Sequence, residues 1–149
     1  PAFRLIASRL YMQAGLHSFR EDFFQALSSS EWANAGEIYY AGPIEDEALA
    51  EAYRRLNAKF GIGVTSFGLS STQLDDLPRP AEILNAQPRE TEALMERLEI
   101  NRIASPVSRD HIDWTALDSI RNDSDEINKL FSWLIEGINS KNPKPYLTD

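Results

Sequence analysis

The sequence predicts an α/β domain with a mixed central sheet and flanking helices. A β-branched and aromatic run over residues 37–41 is followed by an amphipathic stretch over 46–60 and a second strand-like run over 62–67. Two runs joined by a helix of this length, without a hairpin turn, are typical of a right-handed parallel crossover. We therefore expect a strand–helix–strand unit over residues 37–69 at the centre of the domain.

Length and composition favour one ordinary globular domain. The chain has 149 residues, which is typical of a single domain with a sizeable core. We expect this domain over residues 1–140, with a core over 1–87, a helical part over 88–140 and a tail over 141–149. No apolar run is long enough to span a bilayer, and the first residues lack the pattern of a signal peptide. These features predict a cytoplasmic protein without membrane association.

Residue usage excludes several kinds of site. The chain contains no cysteine and two histidines, so disulfides, thiolate zinc sites and cysteine nucleophiles are excluded. The formal net charge is −8, whereas a free-standing nucleic-acid-binding protein usually has a basic face. However, residues 1–20 contain no acid and have four basic side chains, Arg4, Arg9, His17 and Arg20. Two interpretations remain open, namely a locally basic nucleic-acid-binding surface and a buried first strand that carries few charges.

The N-terminal elements are a strand and a helix. Residues 3–12 are apolar with interleaved arginines, which predicts one or two strands with a kink near Ala7–Ser8, with a helix as the open alternative. Ser18 and Glu21 have the spacing of a capping box, which predicts the start of a helix. The apolar face of this helix contains Phe19, Phe23, Phe24 and Leu27.

Capping, turn-forming and proline residues predict where the later helices and loops begin and end. The second helix begins near Asp46, and Gly61 stands where a C′ glycine ends a helix. Residues 70–80 are rich in Ser, Thr, Asp and Pro and predict a loop. Ala81–Ala86 predicts a short edge strand, and residues 88–99 predict a helix with Pro88 in its first turn.

The C-terminal part is predicted to be mainly helical. Residues 100–112 show no period and predict irregular structure. Asp113 is placed to cap a short helix, and the pair Asp123 and Glu126 has the spacing of a cap for a last helix. The last helix has a wide apolar face around Phe131 and Trp133.

An ordered set of segments carries a family resemblance. FREDFFQALSSSEWAN (19–34) precedes EIYYAGP (37–43), a helix, and GIGVTSFGL (61–69). This order resembles the later half of the PD-(D/E)XK nuclease-like fold. More narrowly, it resembles the C-terminal domain of HrgA-type restriction-associated bacterial proteins, with FFQA followed by S-x-W-A-N as the most specific part. The resemblance covers residues 18–69 and, more loosely, Ala81–Ala86 and the helix at Asp113-Trp114. It implies a restriction-endonuclease-like core, to which the chain adds C-terminal helices.

The catalytic motif of that family is degenerate in this chain. The family uses two acids that hold Mg²⁺, which polarises the phosphate and activates a water, and a lysine that stabilises charge. The resemblance places its E-x-K motif at Arg9-Leu10-Tyr11, where neither a carboxylate nor an ammonium stands. Arginine cannot bind a magnesium ion as a ligand. The resemblance thus implies either no cofactor or, for an active enzyme, Mg²⁺.

The helix after this strand offers the remaining candidates for chemistry. The resemblance places Glu21, Asp22 and Gln25 on the side of the family's cleft, so these are the candidate catalytic residues, and a migrated carboxylate would be among them. A structural interpretation stands beside this one. Glu21 would cap the helix, Asp22 would favour the positive end of the helix dipole, and Gln25 would be a surface residue.

Three functions follow as expectations. The first is a nuclease-fold domain that lacks a complete metal site and acts as a DNA-associated or regulatory module of a bacterial restriction or defence system. Its contacts with DNA would come through an upstream or partner domain. The alternative is a protein–protein interaction or homodimerisation module, with the apolar face around Phe131 and Trp133 as the contact surface. The third is an active Mg²⁺-dependent DNA endonuclease that uses a migrated carboxylate.

Overall fold

The protein is a four-stranded mixed sheet with flanking helices. The computed structural model describes residues 3–142 and 144–146. The first part of the chain forms β1 (Ile6–Tyr11), α1 (Phe19–Ser30), β2 (Ala35–Tyr40), α2 (Glu47–Phe60) and β3 (Gly63–Ser66). The second part forms α3 (Ser71–Asp75), α4 (Pro80–Leu84), α5 (Pro88–Met95), β4 (Asn101–Ala104), α6 (Trp114–Ile120) and α7 (Asp125–Ser140).

The sheet has the strand order β1-β2-β3-β4. β1 pairs in parallel with β2, and β2 pairs in parallel with β3. β4 pairs antiparallel with β3, which makes the sheet mixed. The predicted parallel crossover over residues 37–69 and the predicted α/β class are therefore confirmed.

Helices α1 and α2 lie side by side on one face of the sheet. The ring centroids of Phe19 and Tyr53 are 5.7 Å apart, and those of Phe23 and Phe60 are 6.0 Å apart. This apolar layer is the core of the molecule, because burial of such side chains is the main driving force of folding. Its buried members are Phe19, Phe23, Ala26, Ile38, Tyr40, Ile44, Leu49, Ala50, Tyr53, Ile62, Val64 and Ile103.

Helix α2 begins and ends where its sequence predicts. The carboxylate of Asp46 accepts hydrogen bonds from the N–H groups of Ala48 (2.9 Å) and Leu49 (3.4 Å). Gly61 ends the helix with φ of 76°, and its N–H donates to the carbonyl of Asn57 at 2.8 Å. This left-handed conformation favours glycine because it lacks a Cβ atom.

The predicted capping box at the start of α1 is wrong. The side chain of Ser18 makes no capping hydrogen bond. Its backbone is helical, with φ of −117° and ψ of −12°, whereas a capping residue is usually extended. A turn leads into the helix instead, and the N–H of Phe19 donates to the carbonyl of Gly15 at 2.9 Å. Glu21 therefore has no capping partner in Ser18.

Local predictions before and after the crossover also need correction. β1 is one continuous strand without the predicted kink, because its register with β2 is unbroken from Ile6 to Tyr11. The predicted loop 70–80 contains the short helix α3, and its N-cap Ser70 has a complete capping box with Gln73.

The predicted edge strand Ala81–Ala86 is wrong, since this segment contains helix α4. Pro80 suits the first helical turn, and the carboxylate of Glu82 accepts from the N–H of Arg79 at 2.9 Å. The predicted irregular segment 100–112 contains strand β4, whose single buried side chain, Ile103, gave no alternating pattern. Helix α5 ends at Met95, earlier than predicted.

The C-terminal helices form as predicted, with one shifted cap. The carboxylate of Asp113 accepts from the N–H of Ala116 at 3.0 Å and caps α6. The cap of α7 is Ser124 and not Asp123, because the Ser124 hydroxyl accepts from the N–H of Ile127 at 3.2 Å. Of the predicted tail 141–149, residues 143 and 147–149 lie outside the described residues.

The three short helices α3 to α5 form a peripheral segment between β3 and β4. None of their residues is buried. The segment joins the sheet through a narrow neck, where the N–H of Glu99 donates to the carbonyl of Phe67 at 2.9 Å. Gly68 lies in this neck with φ of 69°, and a Cβ there would come within 2.9 Å of the Glu99 carbonyl oxygen. Among the helices that the structure describes, none is long and apolar enough to cross a membrane.

The helix starts give a matched pair of stability predictions. We expect Asp46→Ala to lower the free energy of unfolding by about 1 kcal/mol, because two backbone N–H groups lose their acceptor. Ser18→Ala should lower it by less than about 0.5 kcal/mol, since that hydroxyl caps nothing. Urea unfolding followed by circular dichroism measures both values. An equal loss in the two variants would contradict this assignment of the caps.

Candidate functional site

A buried aspartate links α1, β2 and α2 through hydrogen bonds. Asp22 lies on the sheet-facing side of α1 and is 8% exposed. The Tyr40 hydroxyl on β2 donates to Asp22 Oδ2 at 2.8 Å, and the hydroxyls of Tyr40 and Tyr53 are hydrogen-bonded to each other. Because Tyr40 gives its single proton to the carboxylate, Tyr53 is the donor in the second bond.

A more exposed chain of polar side chains continues from this group. The Tyr11 hydroxyl on β1 donates to Gln25 Oε1 at 2.9 Å and accepts from Arg9 Nε at 3.0 Å. A long contact of 3.5 Å joins Gln25 Nε2 to Glu21 Oε1. The rings of Tyr11 and Tyr40 stack with centroids 5.7 Å apart, so the exposed and buried parts form one network. We call these residues the tyrosine network, with members Arg9, Tyr11, Glu21, Asp22, Gln25, Tyr40 and Tyr53.

The network keeps its buried phenols protonated. Burial raises the pKa of Tyr40 far above its ordinary value of 10.0, and the hydrogen bond that Tyr40 donates to the Asp22 carboxylate raises it further. Burial likewise raises the pKa of Tyr53, and the nearby charge of Asp22 adds to this effect. Both hydroxyls therefore serve as hydrogen-bond donors and not as proton-accepting bases.

A second polar cluster lies on the opposite face of the sheet. Glu37 is buried in β2 and accepts a hydrogen bond from the Tyr39 hydroxyl. Arg102 on β4 approaches the same carboxylate, with Nη1 3.5 Å from Oε1. The hydrogen bond to Glu37 raises the pKa of Tyr39, and burial adds to this effect. Residues 37 and 40 alternate across the pleat, so Glu37 and Asp22 lie on different faces.

The predicted catalytic residues do not fit a magnesium site. Mg²⁺ prefers octahedral oxygen ligands that include one or two free carboxylates. The Asp22 carboxylate is buried and accepts from Tyr40, while Glu21 is exposed on the neighbouring helix position. Within residues 3–142 and 144–146, no three histidine, cysteine, aspartate or glutamate side chains group closely enough to hold a metal ion.

The structure brings four of the seven predicted site residues together. Arg9, Glu21, Asp22 and Gln25 meet around Tyr11. The other three basic residues are exposed, and Arg20 lies with its guanidinium 5.2 Å from the centre of the Phe19 ring. Binding of nucleic acid by Arg4, Arg9, His17 and Arg20 stays a prediction.

The sequence contained a signal for the buried role of Asp22 that its interpretation missed. Asp22 is three positions after Phe19 and four before Ala26, so it falls in phase with the buried face of α1. An acid at such a position requires a donor, and Tyr40 on β2 supplies it. The Glu37 cluster could not be found in this way because Arg102 lies in the segment predicted to be irregular.

The S-x-W-A-N motif has a structural explanation. The side-chain oxygen of Asn34 accepts from the Leu5 N–H at 2.8 Å, and its amide donates to the Arg109 carbonyl at 3.0 Å. Arg109 in turn donates from Nη2 to the carbonyls of Ser30 and Ala33. The motif thus joins the start of β1 to the segment after β4.

Comparisons with protein-family models, curated proteins and solved structures found no match to this chain. The resemblance to the PD-(D/E)XK nucleases therefore rests on the sequence segments and stays a prediction. What the structure contributes independently is an α/β fold and the tyrosine network.

Removal of single hydroxyls tests the network. We expect Tyr40→Phe to lower the free energy of unfolding by about 2–3 kcal/mol, because the buried Asp22 carboxylate loses its donor. Tyr53→Phe should cost about 1 kcal/mol, since Tyr40 can still donate to Asp22. Chemical denaturation of the two variants and of the double variant measures these values. A larger loss for Tyr53→Phe than for Tyr40→Phe would contradict the assigned direction of the hydrogen bonds.

The raised pKa values predict a loss of stability in alkali. Unfolding returns Tyr40 and Tyr53 to a pKa near 10, so above about pH 10 the unfolded state loses protons that the folded state keeps. The free energy of unfolding then falls by up to about 1.4 kcal/mol per pH unit for each tyrosine, whereas below pH 10 this contribution is fully present.

Denaturation at several pH values between about 8 and 11 measures this slope. The double variant Tyr40→Phe/Tyr53→Phe should show a shallower decline than the wild type. Tyr146→Phe, which changes an exposed tyrosine, is the matched control and should retain the wild-type slope. Identical slopes in all three proteins would rule out the proposed protonation of the buried phenols.

Proposed function

We propose that this chain is a nuclease-like α/β domain without a complete metal site, acting as a DNA-associated or regulatory module of a bacterial restriction or defence system. One observation carries the proposal. Arg9 and Tyr11, which stand where the resemblance places the E-x-K motif, form a hydrogen-bonded chain with Gln25 on α1. The side chains at these positions hold the scaffold together where the family would hold a metal ion.

The arrangement of the elements supports the same proposal. The family order of strand, FFQA helix, strand, helix and GIG strand corresponds to β1, α1, β2, α2 and β3. The motif residues that carry the resemblance make structural contacts, with Asn34 bonded to both Leu5 and Arg109. Such contacts maintain a scaffold whether or not catalysis is retained.

Charge favours association with DNA through a neighbouring domain or subunit. The net charge of −8 repels a polyanion, and the acid-free segment 1–20 offers only three arginines and one histidine. A contact through these residues neutralises few phosphates. Direct binding should therefore be weak, with a slope of log K against log salt of about −3 or shallower.

A cleavage assay and a binding titration test this function. With plasmid and single-stranded DNA and Mg²⁺, we expect no cleavage above background. Cleavage that Glu21→Ala abolishes would overturn the proposal in favour of an active enzyme with a migrated carboxylate. In titrations of duplex DNA, Arg4→Glu should abolish the weak low-salt binding, and Arg89→Glu on α5 is the charge-matched control. If the wild type does not bind DNA at low salt, direct contact between this domain and DNA is ruled out.

Helix α7 favours a second candidate function, a protein-interaction module. Only Leu134 of its sixteen residues is buried. Phe131 contacts Trp114, and the Trp133 indole donates to the Lys144 carbonyl at 2.7 Å, yet Ile135 and Ile138 stay exposed. If α7 forms a homodimer contact, Ile138→Asp should abolish concentration-dependent dimerisation in sedimentation experiments. A monomeric wild type would exclude homodimerisation.

A further inference from the structure

Strand β1 presents one unpaired edge. It is the terminal strand of the sheet and pairs only with β2 among the strands that the structure describes. The carbonyls of Leu5 and Tyr11 accept hydrogen bonds from the N–H groups of Ala35 and Ala41. The backbone N–H and C=O groups of the odd-numbered residues therefore point toward β2. Because successive residues of a strand point in opposite directions, the N–H and C=O groups of Ile6, Ser8 and Leu10 point outward.

Most of the usual protections of an edge strand are missing from β1. Exposed edges are normally blocked by proline, charged side chains, a bulge or a covering element. β1 has no proline, its register with β2 shows no bulge, and Arg9 is its one charged side chain. Ile6 and Leu10 are 42% and 68% exposed. Edge backbone and exposed apolar side chains thus occur on the same residues.

The two faces of this edge differ in chemistry. Ile6, Ser8 and Leu10 share one face, whereas Arg9 lies on the other and aligns with Ile38 of β2. Arg9 is exposed, and no carboxylate of the described residues forms an ion pair with it. An added strand that fits would place apolar residues beside Ile6 and Leu10 and acidic residues beside Arg9.

Charge distinguishes between the occupants that could cover this edge. A second copy paired through β1 would bring the arginines of two acid-free segments together, which costs free energy. Nucleic acid would place its phosphates beside the exposed apolar side chains of Ile6 and Leu10, which offer them no favourable contact. An acidic extended peptide satisfies the backbone groups, the apolar side chains and the arginine together.

We propose that the outer edge of β1 binds an extended segment of a partner protein that alternates apolar and acidic residues, which adds a fifth strand to the sheet. Main-chain hydrogen bonds supply affinity, and the alternation sets the register. This interaction goes beyond the DNA-associated role and does not depend on it. The two can fail separately, because one is measured with a peptide and the other with DNA.

The experiment uses the full chain and two fluorescent peptides of about ten residues, typical of a long strand. The first peptide alternates valine with glutamate, and the second, which is the control, alternates valine with lysine. We expect the glutamate peptide to bind in fluorescence anisotropy and the lysine peptide to bind at least about tenfold more weakly.

Four variants locate the binding edge. Ser8→Pro removes an outward N–H without removing a hydrogen bond to β2, and it should weaken peptide binding about tenfold, whereas Ser8→Ala should not. Leu10→Asp should also weaken it about tenfold. Leu84→Asp, at an 86% exposed position of α4, should change it less than about twofold. Thermal unfolding of each variant shows whether it is folded. If Ser8→Pro is unfolded, the effect of Leu10→Asp on peptide binding tests the proposal instead.

Several outcomes would overturn the proposal. No binding of the glutamate peptide at millimolar concentration would overturn it, and so would equal binding of the two peptides. Unchanged binding by Leu10→Asp would move the site away from β1. Dimerisation that Leu10→Asp abolishes would assign the edge to a second copy. Displacement of the peptide by duplex DNA, with loss of both on Arg4→Glu, would assign it to nucleic acid.

Discussion

A carboxylate buried in an apolar layer must receive hydrogen bonds, and this requirement fixes how α1 lies on the sheet. Asp22 meets it through Tyr40, and Tyr53 extends the connection to α2. Apolar contacts alone tolerate small shifts between a helix and a sheet, whereas hydrogen bonds have narrow limits of distance and direction. The tyrosine network therefore gives α1, β2 and α2 one defined relative position.

The same network is the structural basis of the proposed non-catalytic role. Tyr11 on β1 donates to Gln25 and approaches the Asp22 carbonyl on α1, so hydrogen bonds join these two elements. Under the proposed function, Tyr11 contributes to stability at a position where the resemblance places part of the E-x-K motif.

The parts of the fold that long periodic patterns encode could be predicted from the sequence. The crossover over residues 37–69 has apolar strands, a helix with a clear stripe and a glycine stop, and all of these form. The short elements could not be predicted. β4 has one buried side chain and forms because β3 offers a free edge, while α4 forms through Pro80 and Glu82 in a segment that resembles a strand. Only part of the candidate site could be predicted, because Asp22 lies in a periodic helix whereas its donor Tyr40 and the neighbouring Tyr53 stand on other elements.

The neck at the base of α3 to α5 affects which insertions and deletions the sequence can accept. Its two sides, Phe67 and Glu99, are held together by a backbone hydrogen bond, which closes the segment at its base next to β3 and β4. Insertions and deletions in such a segment cost little, because loop closure entropy grows slowly with length. Residues 70–98 are consequently a site where evolution or an engineer can exchange one short peptide or an entire small domain while the sheet stays intact.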